Sequence, residues 1–220
     1  MTVRAVLFDL DGTLVDSLGD LTDAVNHVVN VFSLPLLCES DVRLKIGKGS
    51  RNLMEQILPG FSEADITRAL DLFLDYNRQH IAVKSRLYPG ILDTIHNLAC
   101  CHIKLAVITN KNEDLCLLLL HDLGIKDLFE SVCGGDSYPE RKPSPLPLLK
   151  IAEQLGVPPN ECVMIGDSIN DVESGRRAAM MTIACSWGYG DMDEQKGADM
   201  IVHAPTELCE AIEHMSGQQT

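Results

Sequence analysis

Six short apolar runs, set between helical patterns along a chain of 220 residues, limit its fold more than any other feature. The first opens at Val3 and reaches Phe8. The others span about residues 103–109, 131–134, 162–165, 182–185 and 200–203. Runs this short, bounded by polar residues, read as strands buried on both faces. Between them, stretches ending near Cys100, Gly124, Leu155 and Ala179 read as helices. Strand alternating with helix predicts an α/β chain: a Rossmann-like parallel sheet core in three layers, α/β/α.

One block departs from this rhythm. From residue 17 to 82 there is no strand signal. Leu18, Leu21, Val25, Val28 and Phe32 recur at helical spacing until Pro35 stops them. Two shorter periodic pieces, 42–46 and 53–58, flank Gly47-Lys48-Gly49-Ser50. After the Pro59-Gly60 turn, Ile66, Leu70, Phe73, Leu74 and Asn77 mark a longer helix over about 62–81. The division this predicts is a core made of residues 1–16 and 83–220, with an all-helical domain, 17–82, inserted into it.

In a parallel sheet of this kind ligands sit beyond the carboxyl ends of the strands, near the point where strand order reverses. Reactive residues are therefore expected just after the apolar runs, and they are there. The first run ends in Asp9-Leu10-Asp11-Gly12-Thr13, the second in Thr109-Asn110. The fourth leads into Gly166-Asp167-Ser168-Ile169-Asn170-Asp171. Between them, Arg141-Lys142-Pro143-Ser144-Pro145 holds a basic residue at the start of a helix. Acids gathered at strand ends repel unless a cation sits between them, and a hard divalent ion suits their oxygens. Gly12 permits a sharp turn that brings backbone N–H groups near an anion. Singly, some of these residues also have plain structural readings. Thr109 could end a strand in a hydroxyl turn, Lys142 could be a solvated lysine, and Asp171 could be a charge favoured at a helix N-terminus.

A formal net charge of −14 argues against nucleic-acid binding and against docking on anionic membranes. No apolar run approaches the ~20 residues of a membrane span, and the start lacks a signal-peptide pattern. The eight cysteines are scattered, with Cys133, Cys162 and Cys185 in strand-like runs, which favours reduced thiols in a cytoplasmic protein. None of the seven histidines has zinc-like spacing.

In order and spacing, these motifs resemble the haloacid dehalogenase superfamily, specifically its phosphatases. The likeness runs from Val3 to about Gly190. It implies Asp9 as a nucleophile that forms an aspartyl-phosphate and Asp11 as acid and base. It implies Thr109 and Lys142 as charge-balancing groups, with Gly12, Thr109, Asn110 and Lys142 around the phosphate. It implies Mg²⁺ held by Asp9, Asp11 and Asp167, with Asp171 and Ser168 supporting. The helical block resembles the superfamily's cap domain. In it Gly47, Lys48, Gly49 and Arg51 form the candidate substrate-selecting loop, the two cations meeting a second anionic group; a helix-to-helix turn with solvated cations is the other reading of that loop. Together with Tyr88-Pro89-Gly90, Gly134-Gly135-Asp136 and Trp187-Gly188-Tyr189-Gly190, the loop resembles phosphoglycolate phosphatases. The implied partner is a small phosphorylated metabolite, acted on by a monomer or homodimer. Sugar phosphates, nucleotides and pyrophosphate are alternative substrates, and a sugar-phosphate mutase is an alternative activity. Thr13 favours hydrolysis, since mutase relatives often carry an apolar β-branched residue there.

Overall fold

The computed structural model describes residues 2–217 of the chain; the outermost positions of the predicted core, residue 1 and residues 218–220, lie outside the described residues. In chain order the elements begin with β1 (Ala5–Phe8) and β2 (Val15–Asp16), then α1 (Leu18–Val31), α2 (Glu39–Arg43), α3 (Ser50–Ile57) and α4 (Glu63–Gln79). Next come β3 (Arg86–Leu87), α5 (Ile91–Cys100), β4 (Lys104–Ile108), α6 (Glu113–Asp122), β5 (Ser131–Cys133) and α7 (Leu146–Leu155). The chain continues through β6 (Cys162–Gly166), α8 (Ile169–Arg177), β7 (Met181–Cys185), α9 (Met192–Gln195), β8 (Met200–Val202) and α10 (Leu208–Gly217). Among the described residues no helix is long and apolar enough to cross a membrane.

Six strands form one parallel sheet in the order β5-β4-β1-β6-β7-β8. The chain leaves β1 toward β4 and β5, then returns to β1's other side for β6, β7 and β8. Strand order therefore reverses at β1, the place where such sheets bind ligands. All four residues of β1 are buried because both faces of the sheet are covered. Val6, Phe8, Val107 and Ile165 pack with α5, α6 and α10 on one face. Leu7, Ala106, Ile108 and Met164 pack with α7 on the other. Register then fixes the rim. Phe8 lies opposite Val107 on one side and Ile165 on the other, so Asp9 emerges level with the ends of β4 and β6.

The helices α1 to α4 close a separate apolar cluster that includes Val25, Val28, Met54, Leu58 and Phe73. Each helix buries one stripe, as amphipathic spacing requires. The two chain segments that lead into and out of these helices pair as the antiparallel strands β2 and β3. Buried Asp20 of α1 reinforces that junction, its carboxylate accepting from the backbone N–H groups of Lys84 and Ser85 and from the Ser85 hydroxyl.

Candidate active site

Asp9, Thr109, Asp167, Asp171 and Lys142 meet on the rim, brought there by β1, β4, β6, the first turn of α8 and the segment before α7. Lys142 is the hub and is buried. Its Nζ donates to the Ile108 carbonyl at 2.6 Å and to Asp171 Oδ1 at 2.6 Å, and it lies 2.8 Å from Asp9 Oδ1. An ammonium carries three hydrogens, and all three have acceptors within the protein. Burial opposes its charge, but the carboxylates of Asp171 and Asp9 outweigh that and hold its pKa above the ordinary lysine range.

Asp171 is buried and fully engaged. Besides Lys142, it accepts from the backbone N–H and the hydroxyl of Ser168 through Oδ2. Ser168-x-x-Asp171 is thus a capping box, which starts α8 at Ile169. Asp171, held by Ser168, in turn accepts from Lys142.

Asp167 is held from another direction. Thr13 Oγ1 donates to its Oδ1 at 3.0 Å, and the backbone N–H groups of Tyr189 and Gly190 donate to its Oδ2 at 2.7 and 3.2 Å. Three glycines make this close seating possible; a Cβ at Gly190 would lie 2.1 Å from the Asp167 carbonyl oxygen. A Cβ at Gly188 would lie 2.3 Å from Asp167 Cβ, and one at Gly12 would lie 2.6 Å from Asp167 Oδ2. Gly12 also has φ +89, where L side chains are strained, and its N–H donates to the Val15 carbonyl. Its N–H is thus already engaged, and its missing side chain leaves room for Asp167.

Asp9, Asp167 and Asp171 present carboxylate oxygens within 4.8 Å of one another. Burial pushes the Asp9 carboxyl upward, Lys142 pulls it back, and Asp171 and Asp167 push it up again, to about 8 from an ordinary 3.8. Burial and Asp171 push Asp167 to about 6, against the donors that hold it. One lysine does not offset three clustered acids. A hard divalent cation fits this donor set, with Asp9 and Asp167 as side-chain ligands, because Asp171 is already taken by Lys142 and Ser168.

A pH dependence follows. In the folded protein Asp9 and Asp167 keep protons to a higher pH than in the unfolded chain, so stability falls as pH rises from about 4 toward 8. A bound cation replaces those protons. The rise in Tm on adding Mg²⁺ should therefore be several-fold larger at about pH 8 than at about pH 5. Thermal melts at both pH values check this, and equal gains would contradict it.

Asp11 sits beside this cluster. Ser17 Oγ donates to its Oδ1 at 2.5 Å, and Lys111 Nζ lies 3.3 and 3.4 Å from its two oxygens. The Lys111 side chain is only 7 % exposed. Sequence reasoning missed Lys111, although it stands two residues after Thr109 at the end of an apolar strand. Asp9, Asp11, Lys111, Thr109 and Lys142 line a cavity of about 60 Å³, roofed by Leu21, Leu53 and Phe73 of the helical block.

The predicted selecting loop divides. Gly47 and Gly49 border the cavity. The structure does not bring Lys48 and Arg51 to it. Lys48 is exposed, and the Arg51 guanidinium is held by Glu55 and Glu63. Asn110 does not turn its amide N–H to the cavity either. Its Nδ2 donates to the carbonyls of Gly47 and Lys142, tying the loop to the rim. Arg43 makes a second tie by donating to the carbonyls of Gly188 and Tyr189, and Ser50 makes a third by donating to Asn112.

A family model described as haloacid dehalogenase-like hydrolase matches residues 6–185. The chain is 37% identical over 217 residues to a phosphoglycolate phosphatase of Chromobacterium violaceum, covering 96% of this chain and 97% of the relative. It is 36% identical over 227 residues to a phosphoglycolate phosphatase of Neisseria meningitidis, covering 99% of this chain and 97% of that one. Among solved structures, a predicted phosphoglycolate phosphatase from Haemophilus somnus superposes with a TM-score of 0.91 at 29% identity, covering 96% of this chain and 98% of that one.

Proposed function

The chain belongs to the haloacid dehalogenase-like hydrolases, and on that footing we propose that it is a Mg²⁺-dependent phosphatase whose substrate is 2-phosphoglycolate. Asp9 is the nucleophile. Its carboxylate attacks phosphorus, the bond to the leaving oxygen breaks, and Asp11 gives that oxygen a proton. Asp11 then takes a proton from a water that attacks the phosphoryl group on Asp9. Inorganic phosphate leaves and the Asp9 carboxylate is restored. Lys142 favours the ionised form of Asp9, which a bound cation completes, and offsets the charge of the transferring group, while the Thr109 hydroxyl donates to its oxygens. Mg²⁺, held by the carboxylates of Asp9 and Asp167 and the Asp11 carbonyl, would supply further charge neutralisation at the phosphoryl oxygens. Residues 17–82 act as a cap that excludes water from the reaction.

Lys111 carries the choice of substrate. It is a nearly buried cation in the cavity, next to the acid that faces the leaving group. A leaving group with its own carboxylate gives that cation a second partner besides Asp11. The cavity suits a small one, since about 60 Å³ holds only a few water-sized groups. The relatives' names point the same way. Lys111→Met should lower kcat/KM for 2-phosphoglycolate about 100-fold and change that for ethyl phosphate no more than about threefold, as loss of a charged hydrogen bond implies. Steady-state kinetics on both esters check it. Equal losses would remove Lys111 from substrate selection, and a wild-type enzyme indifferent to the two esters would overturn the 2-phosphoglycolate reading.

A further inference from the structure

Asn77 occupies a position where its helix otherwise presents apolar side chains. The buried residues of α4 are Ile66, Ala69, Phe73 and Asn77, one stripe at helical spacing. Asn77 is 1% exposed, and its Oδ1 has no hydrogen-bond partner. A buried amide oxygen without a donor destabilises a fold, and a leucine would fill the place without that cost. The same residue borders the cavity that holds Asp9, Asp11 and Lys111. The apolar part of the cavity's lining is made by Leu21, Ile46, Leu53, Phe73 and Leu115. Ser50, also on the cavity, already gives its hydroxyl to Asn112.

We propose that Asn77 is a specificity residue that contacts substrate, its carboxamide hydrogen-bonding an oxygen at the far end of the leaving group. This deepens the phosphatase reading and rests on it. A carboxamide offers two N–H donors and a carbonyl acceptor. Rotation about its last torsion lets it meet a carboxylate with N–H or a hydroxyl with C=O. A leaving group ending in a methyl satisfies neither and leaves the buried amide unpaired. Asn77 thus selects small esters with a terminal oxygen and rejects alkyl ones, while Lys111 adds the preference for a negative charge.

Three esters of nearly equal size separate these contributions: 2-phosphoglycolate, 2-hydroxyethyl phosphate and ethyl phosphate. Asn77→Leu should lose about tenfold or more in kcat/KM on the first two and nothing on ethyl phosphate. Its Tm should rise. Asn77→Asp should lose 2-phosphoglycolate selectively, because a carboxylate there repels the substrate's carboxylate, and should keep 2-hydroxyethyl phosphate as a donor to its oxygens. Parallel losses on all three esters in both variants, or a lowered Tm in Asn77→Leu with the wild-type preference intact, would overturn the proposal. The two readings fail differently. A wild-type enzyme that prefers 2-hydroxyethyl phosphate, with the preference lost in Asn77→Leu, rejects 2-phosphoglycolate and keeps Asn77. A wild-type enzyme that prefers 2-phosphoglycolate, with parallel losses in Asn77→Leu, does the reverse.

Discussion

Lys142→Met should abolish turnover and make the fold markedly more sensitive to pH. The ammonium is the internal counter-charge for Asp9 and Asp171 and also bonds the Ile108 carbonyl. Methionine matches its length but leaves three carboxyls, two of them buried, facing one another with no lysine between them. Removing one partner of a buried ion pair costs about 3–5 kcal/mol, because the remaining charge is uncompensated. Asp9 and Asp167 escape that cost by taking up protons, so their pKa values rise further. A folded-state pKa above the unfolded one means that stability is lost as pH rises. Denaturant melts should therefore show most of the loss at about pH 8 and little of it at about pH 5. An equal loss at both would mean that Lys142 matters for packing and not for charge.

Asp9→Asn should have the opposite signature. It should lower kcat by about 10⁴-fold or more, since no carboxylate remains to accept the phosphoryl group. Its Tm without added cation should stay level or rise. The wild-type carboxyl is pushed up by burial and by Asp171 and Asp167, and the amide removes that repulsion while its oxygen can still accept from Lys142. An inactive variant that is more stable and an inactive variant that is less stable thus come from two residues 2.8 Å apart. Activity within tenfold of wild type in Asp9→Asn would remove the nucleophile from the account.

The rim was legible in the sequence because strand ends are set by local pattern. Apolar runs followed at once by Asp9, Thr109 and Asp167 locate three positions on a sheet whose order is constrained by its crossovers. Partner choice was less legible. Arg51 looked free to meet an anion, yet Glu55 lies four residues on along the same helix face, a signal within reach of the sequence. Its other partner, Glu63, comes from the next helix, which no local pattern gives. Gly12 was read as an anion-binding turn, while the fold uses its missing side chain to seat Asp167, a residue distant in sequence. Lys111 was overlooked because a lysine in a polar turn is usually solvated. In the fold its side chain is nearly buried, in a cavity roofed by the helical block. Asn77 was visible as a member of an apolar stripe, but its isolation depends on what packs around it.

The most direct test asks where the phosphoryl group goes. Wild-type enzyme with Mg²⁺ and excess 2-phosphoglycolate, quenched in acid within one turnover and reduced with borohydride, should have Asp9 converted to homoserine and every other carboxylate intact, as read by peptide mass spectrometry. Conversion at another carboxylate, or none at Asp9 while phosphate is being released, would contradict the account.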